Sequence, residues 1–320
     1  MVEWVRMLLP GPVAVAYEAG PTGFGLARAL GAAGVRCVVV APSKLERPPG
    51  DRVKTDRRDA ERLARLLRIG ELPVVRVPTE AEEAARDLVR AREDARADLM
   101  RVRHRLSKLL LRHGLVWDAG AWTGAHESWL RAQRFDRPGL QLAFDEAFDA
   151  VLTAHARRDR LDAAIVEMAG TSEFAPVVGR LCCLRGIGPL TAFGLAVEVG
   201  DWRRFTGSSI GAYLGLVPTE SSSGERRVQG GITKTGNSHA RRLLVEAAWH
   251  HRKPYRPSRE LIRRRDGQPP AVRERADRGN RRLHRRWARL DARSKRSTIS
   301  AVAVARELAG WTWSLAIMDS

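Results

Sequence analysis

Cysteine is nearly missing from this 320-residue chain, with Cys37, Cys182 and Cys183 the only three. Three cannot build a disulfide framework, and none stands in a Cys-x-x-Cys or Cys/His zinc spacing, so they read as core residues. Long apolar runs are missing too. No uninterrupted stretch approaches the roughly 20 residues of a membrane-spanning helix. The opening segment Met1–Pro10 carries Glu3 and Arg6 instead of a signal-peptide pattern. These absences make a cytoplasmic protein with no membrane partner the expectation. Acid is the third shortage: 37 Asp and Glu face 56 Lys and Arg, a net charge of +19. A surface this positive repels itself unless a polyanion is its working partner, which points to nucleic acid. An arginine-rich genome inflates arginine counts but does not by itself create an excess over acids.

What is present suits two or three domains with real cores, since 44% of residues are hydrophobic and 29% charged. Residues 1–78 read as α/β: a strand Val13–Tyr17, a helix Phe24–Leu30, a strand Arg36–Val40, a polar Pro/Lys loop and a helix Asp56–Leu67. Gly20-Pro21-Thr22-Gly23 follows the first strand but is not the G-x-G-x-x-G of a dinucleotide fold. Residues 79–175 read as a coiled-coil or helical linker. Leu88, Ala91, Ala95, Leu99, Val102, Leu106 and Leu109 recur at three- and four-residue steps, and a return helix is expected around Phe144–Met168. That seam serves an intramolecular hairpin or a dimer equally. Residues 114–139, rich in Trp, Gly and Asp, look like an irregular insertion.

Residues 176–320 read as a third, mainly helical region. Leu184-Arg185-Gly186-Ile187-Gly188-Pro189 has the form of a helix-hairpin-helix turn, in which Gly186 and Gly188 offer backbone N–H groups to phosphate. A tight interhelical turn that needs glycine explains the same residues. Next come Gly215-Leu216-Val217-Pro218, a polar loop Thr219–Gly224, Arg226-Arg227, and Ile232–Asn237 with Lys234, leading into a helix Ala240–His250. A serine-rich loop of this kind is usually only a solvated turn. Residues 252–296 are dense in arginine, with Arg263, Arg264, Arg281 and Arg282 flanking Gly267-Gln268-Pro269-Pro270. This segment is expected to be mobile until it meets a phosphate backbone.

The chemistry-bearing pattern is Lys54-Thr55-Asp56-Arg57-Arg58-Asp59-Ala60. It sets two acids three residues apart on one face at a helix start, downstream of Glu18 at the end of the first strand. Carboxylates so placed can share a hard divalent cation. The plainer explanation is that Asp56 and Asp59 offset the helix dipole and Glu18 is a solvated strand end. The stripe Ala60, Leu63, Leu67 continues from Asp56, where an unpartnered acid would be costly to bury, and this favours a ligand role.

Taken together these motifs resemble the DEDD transposases of bacterial insertion sequences, the 110/116/902 group, along nearly the whole chain. Tyr17–Gly20 with Gly23, Lys54–Ala60, Leu184–Ala192, Gly215–Pro218 with Ser223-Gly224, Ile232–Asn237 and Ala301–Gly310 carry the likeness by their joint order. The resemblance implies an α/β plus all-α fold: a partial RNase H-like (RuvC-like) domain over 1–78, a helical middle over 79–175, and a serine transposase domain over 176–320. It implies Glu18, Asp56 and Asp59 as Mg2+ ligands and Ser223 as nucleophile, with Ser221 and Ser222 as neighbouring alternatives. It implies DNA as substrate, a structured guide RNA, and a homo-oligomer, dimer or tetramer, that shares active sites. The family's first acid lies on an N-terminal strand, and no Asp precedes Glu18, so the domain is expected to be N-terminally truncated.

In that chemistry Ser223 attacks a phosphodiester while Arg226, Arg227 or Lys234 neutralise phosphate oxygens. Two alternatives stay open: a Mg2+-dependent junction nuclease that uses water, and an inactive nucleic-acid-binding remnant.

Overall fold

Alternation along two short strands organises the first compact unit, Met1–Glu83. The computed structural model describes residues 1–8, 11, 13–45, 55–223 and 226–318, with Ser43, Ser222, Ser223, Arg226 and Arg227 described by backbone alone. After helix α1 (Val2–Arg6) come β1 (Ala14–Glu18), α2 (Gly25–Ala32), β2 (Arg36–Val40) and α3 (Asp56–Ile69). β1 and β2 are parallel, with Val15 opposite Cys37 and Glu18 opposite Val40. Odd and even positions point to opposite faces. Val15 and Cys37 pack with Leu26, Leu30 and Val35 on the α2 side, whereas Ala16, Val38 and Val40 pack with Leu63, Leu66 and Leu67 of α3. Covering both faces is what a parallel pair requires. Residues 73–75 run antiparallel along the outer edge of β2, with Val75 N donating to Val39 O at 2.8 Å.

The second unit, Ala84–Ser320, contains most of α4 (Glu80–Arg112), then α5 (Gly124–Arg131) and α6 (Pro138–Thr171). α4 and α6 form an antiparallel hairpin tied by Arg92–Asp162 at 2.6 Å and Arg157–Asp98 at 3.2 Å. Leu99, Val102, Leu106 and Leu110 bury against Phe144 and Val151. The heptad seam is therefore satisfied within one chain, and Leu110 rather than Leu109 takes the buried slot. The expected irregular insertion holds α5, whose buried His126 and Leu130 sit among Trp117, Trp122 and Trp129.

The remaining elements are α7 (Ala175–Leu181), α8 (Pro189–Val199), α9 (Ser209–Tyr213), β3 (Pro218–Ser223), β4 (Arg226–Ile232), α10 (Ser238–Ala248), α11 (Arg259–Arg265), α12 (Pro270–Asp291) and α13 (Ser297–Ala316). Two expectations are corrected here. The polar loop Thr219–Gly224 is largely strand: β3 and β4 form an antiparallel ribbon, with Ser221 opposite Val228 and Ser223 opposite Arg226. Backbone pairing needs no apolar side chains, which is why composition hid it. The arginine-rich segment 252–296 is not loose. Val272, Ala276, Gly279, Asn280, Leu283 and Trp287 form a buried stripe on α12 at three- and four-residue steps, too small-residued to stand out among the arginines.

Buried Arg265 pairs with Asp277 at 2.8 Å, and Asn280 both accepts from Arg185 N at 2.9 Å and donates to Cys183 O at 3.3 Å. Among the described residues no helix is long and apolar enough to cross a membrane. Because Asn280 satisfies two backbone groups inside the core, Asn280→Ala should lower unfolding free energy by about 1–3 kcal/mol in urea titrations. Exposed Arg281→Ala should change it by less than about 0.5 kcal/mol. Equal silence of both would mean that α12 is not docked.

Candidate functional site

The three sequence-predicted acids lie in the first unit. Glu18 is exposed at the end of β1, directly preceding the turn in which Tyr17 Oη donates to Gly23 O at 3.1 Å. Asp56 and Asp59 occupy the first turn of α3, which Thr55 caps by accepting from Arg58 N at 3.4 Å. α3 packs on β1. The inward stripe of α3 runs through half-buried Asp59 to Leu63, Leu66 and Leu67, and Asp56 is exposed. The acid bordering the core is thus Asp59, a one-turn revision of the stripe read from sequence. Lys54 lies outside the described residues.

None of the three carboxylates has an ion-pair partner among the described residues. Those residues also include no group of three or more His, Cys, Asp or Glu side chains gathered to hold a metal. Unpaired carboxylates, two exposed and one half-buried, nevertheless fit Mg2+, which is commonly held by one or two carboxylates together with substrate phosphate and water.

The serine ribbon lies in the second unit, and its base is clasped by backbone. Thr233 N donates to Val217 O at 2.9 Å and Lys234 N to Gly215 O at 3.1 Å. Arg241 Nη1 donates to both Leu214 O at 2.9 Å and Thr235 O at 2.8 Å. The approach is so close that a Cβ on Gly236 would meet Tyr213 O at 1.9 Å, and one on Gly215 would meet Thr235 O at 2.3 Å. Both glycines also have positive φ, +69° and +65°. The two glycine motifs flanking the serines are halves of one joint. Ser223 is the last residue of β3, while Gly224 and the side chains of Ser222, Ser223, Arg226 and Arg227 lie outside the described residues. Lys234 is exposed at φ +56°.

Below the clasp lies a network that sequence reasoning missed. Glu198, near the end of α8, is buried, and its carboxylate accepts from Asn237 Nδ2 at 2.6 Å and from Arg90 Nη2 at 3.3 Å. His239 Nδ1 lies 3.2 Å from Glu198 Oε1, and its Nε2 is 3.9 Å from Glu93 Oε2. Glu93 in turn holds Arg96 at 2.7 Å and the guanidinium of Arg242. Burial alone would raise the Glu198 carboxyl. The hydrogen bonds from His239 and Arg90, the charge of Arg90 and the bond from Asn237 outweigh it and hold the carboxyl at about 2. Asn237 also caps α10, accepting from Ala240 N at 2.9 Å. A lone acid inside the apolar run Leu190–Val199 was the available signal, because such an acid requires partners.

The expected phosphate-contacting residues divide. Gly186 sits so near α10 that a Cβ would meet Ala247 O at 2.5 Å, and Gly188 is the N-cap of α8. The turn is thus needed for packing, whatever else it does. Arg264 Nη1 donates inward to Ile187 O at 2.7 Å, so this guanidinium braces the same turn. Arg263 pairs with Glu260 at 2.7 Å, Arg282 pairs with Glu307 at 2.8 Å, and Arg281 is exposed.

A family model described as "Transposase IS116/IS110/IS902 family" matches residues 179–261, and a DEDD transposase model of the IS110 kind matches residues 3–114. The y4qE protein of Sinorhizobium fredii is 45% identical over 302 residues, 94% of this chain and 74% of its own length. The transposase for insertion sequence element IS1533 of Leptospira borgpetersenii is 35% identical over 285 residues, 88% of this chain and 82% of its own. This chain belongs to the IS110/IS116/IS902 transposase family. A more distant relative, the transposase for IS1111A of Coxiella burnetii, is 26% identical over 197 residues, 61% of this chain and 54% of its own. Transposases cleave and rejoin DNA, and DNA is accordingly this transposase's substrate. A DEDD domain points to divalent-metal dependence. The matched stretches take in Glu18, Asp56 and Asp59 on one side, and Glu198, Ser223 and His239 on the other.

The Glu198 network gives this transposase a pH signature. A carboxyl held below its ordinary value of about 4.3 contributes stability in full above that value. The contribution is lost as pH falls towards about 2. Glu198→Leu should lower stability at neutral pH by about 2–4 kcal/mol, because Asn237 and His239 lose their acceptor. It should also flatten the stability-versus-pH curve between those limits. A variant with unchanged melting and acid limb would show that the network is not coupled to folding.

Proposed function

We propose that this transposase cuts and rejoins DNA through Ser223, that Glu18, Asp56 and Asp59 serve a Mg2+-dependent centre, and that a structured RNA directs the choice of DNA. One observation carries the metal half: on adjoining elements of one α/β layer, Glu18 at the end of β1 and Asp56 and Asp59 in the first turn of the α3 that packs on it have no ion-pair partner among the described residues. The βαβ unit with α3 on its second face is read as part of an RNase H-like domain. The serine half is supported by the clasp, which fixes both ends of an otherwise polar ribbon and so holds the Ser221–Ser223 segment out from a rigid base.

In the proposed step the Ser223 hydroxyl oxygen bonds to phosphorus, the P–O bond to one DNA segment breaks, and the serine proton passes to solvent while the departing oxygen takes one up. The phosphoserine ester keeps the bond energy, and attack on it by another DNA hydroxyl reverses the step and rejoins DNA. Bound Mg2+ would polarise phosphate oxygens and offset charge developing in the transition state. Exposed Lys234, with Arg226 and Arg227 following the serine in the chain, would neutralise the remaining oxygens. The excess of cations over acids suits a complex with both DNA and RNA, and protomers of a homo-oligomer would complete one another's sites.

The test incubates the full chain with DNA carrying the element's end, the adjacent noncoding RNA and Mg2+, and looks for a denaturation-resistant protein–DNA adduct. Wild type should form it, Ser223→Ala should abolish it, and Asp56→Asn or Asp59→Asn should each reduce it by about 10²-fold or more. Cleavage that persists in Ser223→Ala without an adduct would replace this reading with a water-using junction nuclease. DNA or RNA binding without Mg2+-dependent cleavage would identify a remnant.

A further inference from the structure

A cavity of about 410 Å3 in the second unit lies between α9, α12 and α13. Three guanidiniums line it, those of Arg275, Arg286 and Arg306, beside Gly207, Ser208 and a single acid, Glu307. Their bonding is incomplete. Arg275 lies over the Trp311 ring at 4.7 Å and donates to Ser314 Oγ at 3.1 Å, but has no carboxylate partner among the described residues. Arg306 is exposed and has no ion-pair partner among the described residues. Arg286 Nε lies 3.3 Å from Glu307 Oε2 yet out of line for a hydrogen bond, and this buried N–H finds no acceptor. Glu307 is already engaged by Arg282 at 2.8 Å.

Three guanidiniums lining one cavity repel one another when its single acid is already held by a fourth, Arg282, and a buried donor without an acceptor is a further cost. An anion with several oxygens relieves both, and guanidinium forks match phosphate oxygens in pairs. The cavity is also not isolated. Arg275, Arg278, Arg282, Arg286 and Arg289 recur along α12 at three- and four-residue steps. At 1.5 Å rise per residue that row extends roughly 20 Å, longer than one phosphate and suited to successive phosphates of a strand.

We infer that this cavity and the arginine row leading from it bind the phosphodiester backbone of a nucleic acid, with Glu307 as a built-in competitor that limits how tightly it is held. The docked stripe Val272–Trp287 gives the row its rigidity, so the arginines are presented by a packed helix instead of folding on contact. The inference rests on this family's action on DNA, and not on Ser223 being the nucleophile. Its test reads binding alone.

Fluorescence anisotropy of the full chain, titrated with a short duplex DNA and separately with a structured RNA over a range of salt, distinguishes the two sources of phosphate. Arg306→Gln should weaken binding and reduce the slope of log affinity against log salt by about 0.9 for duplex or about 0.7 for single-stranded contact. Arg306→Lys should keep most of that slope, because the charge remains. Glu307→Gln should act in the opposite direction, tightening binding and steepening the slope. Arg259→Gln, on the exposed start of α11 and outside the cavity, should leave the slope unchanged.

An effect with DNA, with RNA or with both supports the site and names its ligand. The inference is overturned if Arg306→Gln leaves affinity and slope unchanged for both, or if a folded Glu307→Gln binds more weakly. Since Arg306 is exposed, its variants report even if Glu307→Gln fails to fold. Loss of adduct formation in Ser223→Ala with these binding differences intact would separate the two readings.

Discussion

A buried carboxylate is the constraint on which the second unit's chemistry hangs. Glu198 ends an apolar helix, where the dipole disfavours negative charge and the surroundings disfavour any charge. It is tolerated because α4 supplies Arg90, the turn before α10 supplies Asn237, and α10 itself supplies His239. Each of these must be in place for the others to be satisfied, so the network fixes the start of α10 relative to α8. That start is the lower half of the clasp at Gly215 and Gly236, and the clasp sets both ends of the serine ribbon. Position is therefore transmitted from a buried charge to an exposed polar loop through backbone contacts too close for any side chain.

The chain uses arginine in two opposite ways. Arg180, Arg264 and Arg265 turn inward and bind carbonyl oxygens at the ends of helices or turns, work that the planar fork does well because several N–H groups act from one group. Arg275, Arg286 and Arg306 border an open cavity. Net charge does not separate these roles, since a guanidinium that braces a turn and one that meets a phosphate count alike. The first unit shows the complement: Glu82 and Glu83 are neutralised by Arg76 and Arg28, whereas Glu18, Asp56 and Asp59 are left unpaired among the described residues.

The α/β order of the first unit was legible because each signal was local. Val15, Ala16 and Val38 alternate between faces, and Thr55 precedes two acids at a helix start. The α4/α6 pairing was legible as a seam, though its partner was not, because burial against α6 and burial against another chain need the same apolar positions. The β3–β4 ribbon was missed because its order comes from backbone bonds and two glycines, not from apolar alternation. The docking of α12 was missed because its stripe uses Ala276, Gly279 and Asn280 and is outnumbered by arginines on the other faces. The Glu198 network was missed because its members are distant in the chain, from Arg90 to His239.

What the sequence by itself determined is the set of local decisions: where helices start, which positions are apolar, that acids are scarce, and that the motifs occur in the order of one transposase family. Those follow from spacing and composition, which a linear reading contains. Only the tertiary structure decided which arginines are spent on carbonyls and which remain for a ligand, which acid borders the core of α3, and that two glycine motifs form one joint. Such questions turn on whether groups far apart in the chain come within a hydrogen bond or a van der Waals radius of each other, and no periodicity records that distance.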